Sequence, residues 1–376
     1  MSKFRAVAIG LIATNFISTM GMAKDAMLTT FIEPSHVVAA NLQLGWAEAV
    51  RQASNGEMNI EVFTGGALLP AGGTMSGVAD GVAQIGMLPA AYSPSELPVA
   101  NAVGDLGFRK PDPYVLSFAF TDFMMNEEVG YNDWRKNGVI FGAGFSTPEY
   151  YYICNKDVGT LAEMQGKRVR LPGLGWARFG QHIGLVPVAL PASEIYIGFE
   201  RGALDCVSID ASALISGPTI LELTKSVVML PTMPGYSSAG LFYNPTWWKS
   251  LTNEERRLLL DQTAGAMART QIAYDAVAAD GLKQAKDRGI KLNEPDEALK
   301  KALADWVADG VGGMAELARN QHGIEDPEAL FALFETYVQK WDGLVQGLDR
   351  KDEAAVTALL KTNLFDQIDE ATYGME

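Results

Sequence analysis

Residues able to do chemistry are few and scattered in this chain. His36, His182 and His322 lie far apart, and no His-x-x-x-His, His-Glu-x-x-His or Cys-x-x-Cys spacing exists, so no zinc site can be read from it. The stretch from Gly235 to Gly240 lacks the spacing of a Gly-x-Ser-x-Gly nucleophile turn. Gly142-Ala143-Gly144 and Gly173-Leu174-Gly175 are not completed to a dinucleotide fingerprint, and there is no Walker loop. Carboxylates are plentiful, yet no pair stands out as an acid/base couple. What remains is binding chemistry. In the strand-like run Arg168-Val169-Arg170-Leu171 the two arginines face one way and the two apolar residues the other. A guanidinium grips a carboxylate through two parallel hydrogen bonds, a geometry lysine cannot offer. On spacing alone, though, Arg170 counts as a solvated surface residue.

The elements that must position these residues follow from periodicity. A buried strand at 27–32 precedes a helical stripe through Leu42, Trp46, Ala49 or Val50, and Ala53, which Asn55-Gly56 stops. An alternating strand at 58–62, a helix opened by Gly72-Gly73 and running to Ala83, and a strand at 85–88 complete a parallel α/β pattern. After a Pro/Gly-punctuated stretch at 106–113 and an aromatic helix at 118–125, the rhythm restarts. Strands fall at 139–145, 150–155, 169–171, 186–190 and 204–209, with helices at 176–183 and 193–201. Two α/β blocks in succession predict two similar lobes. Thr252 and Glu255 then have capping-box spacing, and no proline follows before Gly289, which predicts a helix of about 36 residues and about 54 Å. A helix that long must touch more than one lobe or project. Further helices are expected from Asp296, Asp326 and Asp352 to the end.

The chain has 376 residues, enough for about two lobes, and 45 acidic against 30 basic side chains give a net charge of −15. Such a charge excludes a general phosphate-binding field and with it a nucleic-acid partner. Lys3 and Arg5 precede a charge-free stretch from 6 to 20, too short for a typical membrane anchor, and Gly21-Met22-Ala23 offers small residues for a signal peptidase. Residues 1–23 are therefore expected to be a signal peptide. Cleavage leaves 376 − 23 = 353 residues and a charge of −15 − 2 = −17, and predicts export to a periplasm. Cys154 and Cys206 sit in strand-like runs. An oxidising compartment permits a bridge that a chain this large does not need, and the sequence leaves their pairing open.

The densest pattern runs from Tyr150 to Asp210. Lys156-Asp157-Val158 opens a stretch continuing through Gly166-Lys167-Arg168-Val169-Arg170-Leu171-Pro172. Ile183-Gly184, Val186-Pro187-Val188, Glu194-Ile195-Tyr196 and Gly202-Ala203-Leu204-Asp205 follow in order. This order resembles the DctP-like solute-binding proteins of tripartite ATP-independent periplasmic (TRAP) transporters. The resemblance extends to Pro34-Ser35-His36, residues 78–85 and the helix after Thr252. It implies a two-lobed periplasmic-binding-protein fold of the α/β class, with a long helix spanning both lobes and a helical C-terminal extension. The corresponding parts are lobe I at 24–146 plus 236–275, lobe II at 147–235 plus 276–325, and the extension at 326–376. It further implies capture of a small organic acid between the lobes, without catalysis or cofactor, and delivery to a small and a large membrane subunit.

The resemblance places the family's ligand arginine on Arg170. In a chain of charge about −17 the overall field does not draw an anion in, so a local cation must. Relatives take a further polar contact from the strand before the Lys-Asp-Val turn. Glu149 and Tyr150 stand there, with Tyr150 the expected contact, a departure that leans toward a monoacid. At Ser208-Ile209-Asp210 the family places a polar residue and, in some members, a metal-binding glutamate. Ser208 stands approximately in that place, so no metal is expected, and Asp210 is either a ligand acceptor or a helix cap. Trp176, Tyr92 and Tyr236 lie near strand ends, where open α/β sheets bind ligands, and are expected to line the cleft against an apolar body. Two other readings remain at this stage: a receptor presenting its ligand to a sensor, and an enzyme on a similar two-lobed scaffold.

Overall fold

The computed structural model describes residues 24–376. The signal-peptide expectation at 1–23 lies outside the described residues. Among the described residues eleven strands run in chain order: β1 (Lys24–Thr29), β2 (Met58–Phe63), β3 (Ile85–Pro89), β4 (Ile140–Gly144), β5 (Tyr150–Cys154), β6 (Arg168–Arg170), β7 (Val186–Val188), β8 (Cys206–Asp210), β9 (Ser226–Thr232), β10 (Ser238–Tyr243) and β11 (Lys291–Asn293). They form two sheets, one ordered β2-β1-β3-β10-β4 and the other β11-β9-β5-β8-β6-β7.

The purely parallel sheets expected from the strand–helix rhythm are in fact mixed. β1 pairs in parallel with β2 and β3, but β10 inserts antiparallel between β3 and β4. In the second sheet β5 runs antiparallel to both β8 and β9. The pattern could not show this, because β10 follows β9 after only five residues and enters the other sheet. Each sheet thus receives a strand from a distant part of the sequence, and the chain passes between the lobes at 145–149 and again at 233–237. Both faces of the first sheet are covered, so β10 is buried along its whole length.

The predicted long helix is Asn253–Asp287, 35 residues, opened by the reciprocal Thr252–Glu255 capping box. At 1.5 Å per residue it spans about 52 Å. Its first half packs on the helix Gly45–Ala53, where Trp46 Nε1 donates to Thr263 Oγ1 at 3.1 Å. Its second half reaches the 3-10 turn Ala211–Leu214 behind β8. A Cβ at Gly281 would lie 2.4 Å from the Ala211 carbonyl oxygen, so only glycine permits that approach. The helix therefore touches both lobes. The helices expected from Asp296, Asp326 and Asp352 are present, each with that aspartate accepting a backbone N–H at its N-terminus. The helix Pro327–Val345 lies on the first lobe's apolar helix Pro113–Asn126, where buried Asp122 accepts from Trp341 Nε1 at 2.8 Å and from Lys340 Nζ at 2.6 Å.

Cys154 and Cys206 stand opposite each other on adjacent strands β5 and β8 and are joined in a disulfide. The pairing left open by the sequence is thus resolved in favour of the bridge. Residues far apart in sequence become neighbours only once the antiparallel β5–β8 register exists.

Candidate functional site

A cavity of about 80 Å³ lies between the two sheets. It is bounded at the carboxyl ends of β1, β3, β4, β6 and β8 and the amino ends of the antiparallel β5 and β10, where open α/β sheets place their ligands. Its volume is well below the roughly 300–1,000 Å³ of pockets for drug-sized molecules. A wider groove of about 750 Å³ opens at the opposite end of the first sheet, but Asp25, Glu61 and Asp80 line it, a wall that repels anions. Among the described residues no group of three or more His, Cys, Asp or Glu is arranged to hold a metal ion, and no helix is long and apolar enough to cross a membrane.

Arg170 ends β6 and points into the cavity. Its side chain is 2% exposed, yet none of the ion pairs among the described residues includes it. Its partners are neutral: Nε donates to the Leu190 carbonyl at 2.9 Å, Nη1 to the Ser208 carbonyl at 3.4 Å, and Nη2 to the Tyr92 hydroxyl at 3.1 Å. Two of the five guanidinium N–H groups have no partner among the described residues. Arg168, two residues earlier on the same face, is spent differently. Its side chain is half exposed and grips Asp205 through Nε at 3.0 Å and Nη2 at 3.1 Å.

Tyr92 joins the lobes, because its hydroxyl also accepts from the Ala192 backbone N–H at 2.9 Å. With two donors already accepted, its own proton is free for a further acceptor. Tyr150 stacks on Trp176 with ring centroids 5.5 Å apart, and the Trp176 indole donates to the Met233 carbonyl at 3.3 Å. Burial, and then the nearby Asp210 carboxyl, push the Tyr150 phenol well above its usual range, so it remains a neutral donor. Asp210 is buried at the end of β8, where its Oδ1 accepts the Ser212 backbone N–H at 3.0 Å and the Ser212 hydroxyl. Burial raises its carboxyl to about 6, against the pull of these hydrogen bonds and of Arg170. The two roles left open for Asp210 are thus not exclusive, since it caps the following turn and also lines the cavity.

Five of the eight residues expected from the sequence, Arg170, Tyr150, Trp176, Asp210 and Tyr92, come together around this cavity. Three do not. Glu149 alternates with Tyr150 and so falls on the other side of the strand, half-buried near Tyr151 and Asp275. Ser208 is fully buried one pleat behind the cavity, opposite Tyr152, and reaches Arg170 only through its carbonyl. Tyr236 turns into the first lobe's core, its ring stacked on Phe334 and its hydroxyl donating to the Val103 carbonyl. Its position in the returning loop was legible; the direction of its ring is set by tertiary packing.

The cavity also takes residues that the sequence reading did not single out. Phe31 and His36 follow β1, Thr147 lies in the crossover, and Tyr274 projects from the long helix. His36 appeared only as part of the Pro34-Ser35-His36 match, and Tyr274 carried no local signal.

A two-lobed α/β scaffold with a buried cation facing a cavity between its sheets is built to enclose a small anion. The sequence of residues 29–310 matches the DctP family, described as bacterial extracellular solute-binding protein, family 7, and the chain belongs to it. It is 24% identical over 268 residues to the monocarboxylate 2-oxoacid-binding periplasmic protein of Nostoc sp. (strain PCC 7120), covering 68% of this chain and 70% of that one. Its fold is similar to that of a TRAP solute-binding protein from Rhodoferax ferrireducens in complex with copurified benzoate, with a TM-score of 0.74, 18% identity, and coverage of 85% of this chain and 99% of that one. A TRAP periplasmic solute-binding protein from Bordetella bronchiseptica with bound (R)- and (S)-mandelate gives 0.71 at 21% identity, covering 84% and 99%. Membership of a family of extracellular solute-binding proteins places the chain among binding proteins and sets the enzyme reading aside.

Proposed function

We propose that this protein is the periplasmic receptor of a TRAP transporter, exported by removal of residues 1–23, and that it captures a small monocarboxylate for delivery to a small and a large membrane subunit. The observation that carries this reading is Arg170, a buried cation facing a cavity with only neutral partners and unspent N–H groups. The Asp210 carboxyl lies nearby but forms no ion pair with Arg170, and a ligand carboxylate held by the free edge of the guanidinium supplies the direct charge partner that a buried cation needs. Among the described residues one cation lines the cavity beside a buried carboxyl, which suits one acid group rather than two. The family relatives that bind a 2-oxoacid, benzoate or mandelate are consistent with this class.

Lobe I comprises 24–146 plus 236–275, lobe II comprises 147–235 plus 276–325, and 326–376 forms the extension. Ligand contacts from both lobes favour the closed form only to the extent that opening breaks them, and the Tyr92 bonds to Arg170 and Ala192 hold the same two sides of the cavity together. A thermal-shift screen of the mature protein against small organic acids tests the reading, since a ligand of the native state raises the melting temperature by mass action. Stabilisation by monocarboxylates, lost on Arg170→Met, is expected. Stabilisation by amines or neutral sugars instead would contradict it.

A further inference from the structure

Arg170 is the cation of the cavity wall. Two further polar side chains on that wall keep a donor without a partner among the described residues. Tyr274 lies on the long helix, is 1% exposed and lines the cavity, yet its hydroxyl has no hydrogen-bond partner among the described residues. A buried hydroxyl is rarely left so, because the lost hydration must be made good by some partner. His36 packs edge-on against Tyr274, with ring centroids 6.1 Å apart, and also lines the cavity. Its Nδ1 accepts from the Val38 backbone N–H at 3.2 Å, which in a neutral ring leaves the proton on Nε2. Burial pushes the imidazole down to about 4, so the ring is neutral in ordinary conditions although part of it still meets solvent. No hydrogen bond among the described residues engages Nε2.

Arg170 supplies the cavity's cation, Tyr150 and Asp210 stand opposite each other on β5 and β8, and the touching pair Tyr274 and His36 adds two neutral donors. The second lobe closes on His36. A Cβ at Gly217 would lie 2.6 Å from His36 Cδ2, and Ser216 Oγ donates to the Ser35 carbonyl at 2.9 Å.

We propose that Tyr274 and His36 form a second polar contact, which makes the receptor select monocarboxylates carrying a further oxygen acceptor, an oxo or hydroxyl group, over plain hydrocarbon acids. The inference rests on the receptor reading above and adds to it the ligand class and the residues that read it. A hydrocarbon chain leaves the Tyr274 hydroxyl as unpaired as it is in the ligand-free protein, whereas an oxygen acceptor satisfies it. Discrimination then comes from the hydrogen bond that only the oxygenated acid gains.

Calorimetry with matched pairs tests this: pyruvate against propionate, mandelate against phenylacetate, and 3-hydroxybenzoate against benzoate. For the pair that fits the cavity, the oxygenated acid is expected to bind the native protein about 10- to 100-fold more tightly. Tyr274→Phe and His36→Phe should each shrink that gap to about threefold or less while leaving the affinity of the plain acid nearly unchanged. Tyr274→Phe should not lower the melting temperature of the ligand-free protein, because the hydroxyl it removes has no partner there; a merely structural tyrosine would lower it. Equal affinity within each pair, a gap that survives both variants, or no binding by any oxygenated acid overturns the inference. The receptor reading fails separately, when monocarboxylates bind equally well to the native protein and to Arg170→Met.

Discussion

Two buried arginines of this protein look alike by burial and differ in what surrounds them. Arg256, 3% exposed near the start of the long helix, donates to the Glu370 carbonyl at 2.6 Å, to the Trp248 and Leu251 carbonyls at 3.2 and 2.6 Å, and to Asn253 Oδ1 at 2.5 Å. Four of its five N–H groups are spent on fixed protein oxygens, and the effect is to tie the C-terminal segment to the first lobe. Arg170 spends three, one of them at 3.4 Å, and turns the rest to a cavity. Neither has a carboxylate partner. Burial of an unpaired cation is therefore not itself a ligand signal; unspent donors at a cavity wall are.

That contrast can be broken in several ways, beginning with the wall behind Arg170. The disulfide between β5 and β8 closes a loop whose ends are 52 residues apart, worth about 4 kcal/mol in the chain-entropy account. Replacing both cysteines by serine should lower stability to denaturant by about that amount, and an unchanged midpoint would contradict it. Arg256→Ala should cost about 3 kcal/mol in the same assay, by leaving the Leu251 and Glu370 carbonyls without a donor, yet leave ligand affinity within about twofold. A large loss of affinity there would erase the distinction between the two arginines.

Asp210, the carboxyl beside Arg170, sharpens the comparison through pH. Its folded value of about 6 lies above the ordinary carboxylate value near 3.8, so between about pH 4 and 6 the folded state binds more protons than the unfolded one. Stability should fall as pH rises through that window and stay lowered above it, by about 2–3 kcal/mol. Asp210→Asn keeps the cap, removes this slope and should be the more stable form at pH 7; a parallel pH profile would refute the cause. Asp205 behaves oppositely, because the Arg168 guanidinium, against the effect of burial, holds its carboxyl far below the usual range. Its contribution is present at neutral pH and is lost only in strong acid. Because Arg168 is half exposed, Arg168→Ala should cost no more than about 1 kcal/mol and leave binding untouched.

The sequence carried these two regions unequally. Arg170 stood in a motif and on a strand whose alternation gave its face, and Thr252 and Glu255 announced the long helix before any packing was known. Alternation also separates Glu149 from Tyr150, a consequence that the resemblance to relatives obscured. Tyr274 and His36 escaped for another reason. A tyrosine in mid-helix satisfies the same periodicity whether it fills a core or faces a cavity, and only the closing of one lobe on the other decides. Tyr236 shows the converse, an aromatic near a strand end that tertiary packing claimed for the core. The mixed sheets were hidden likewise, since β10 and β11 are recruited across more than fifty residues of intervening chain.

The most direct measurement is isothermal titration of the native protein and of Arg170→Met with whichever monocarboxylate gives the largest thermal shift. The variant should keep a ligand-free melting temperature within a few degrees of the native one and bind at least about 100-fold more weakly, a loss of about 2.7 kcal/mol. Affinity within about threefold of the native protein would contradict the assignment of Arg170 as the anchor.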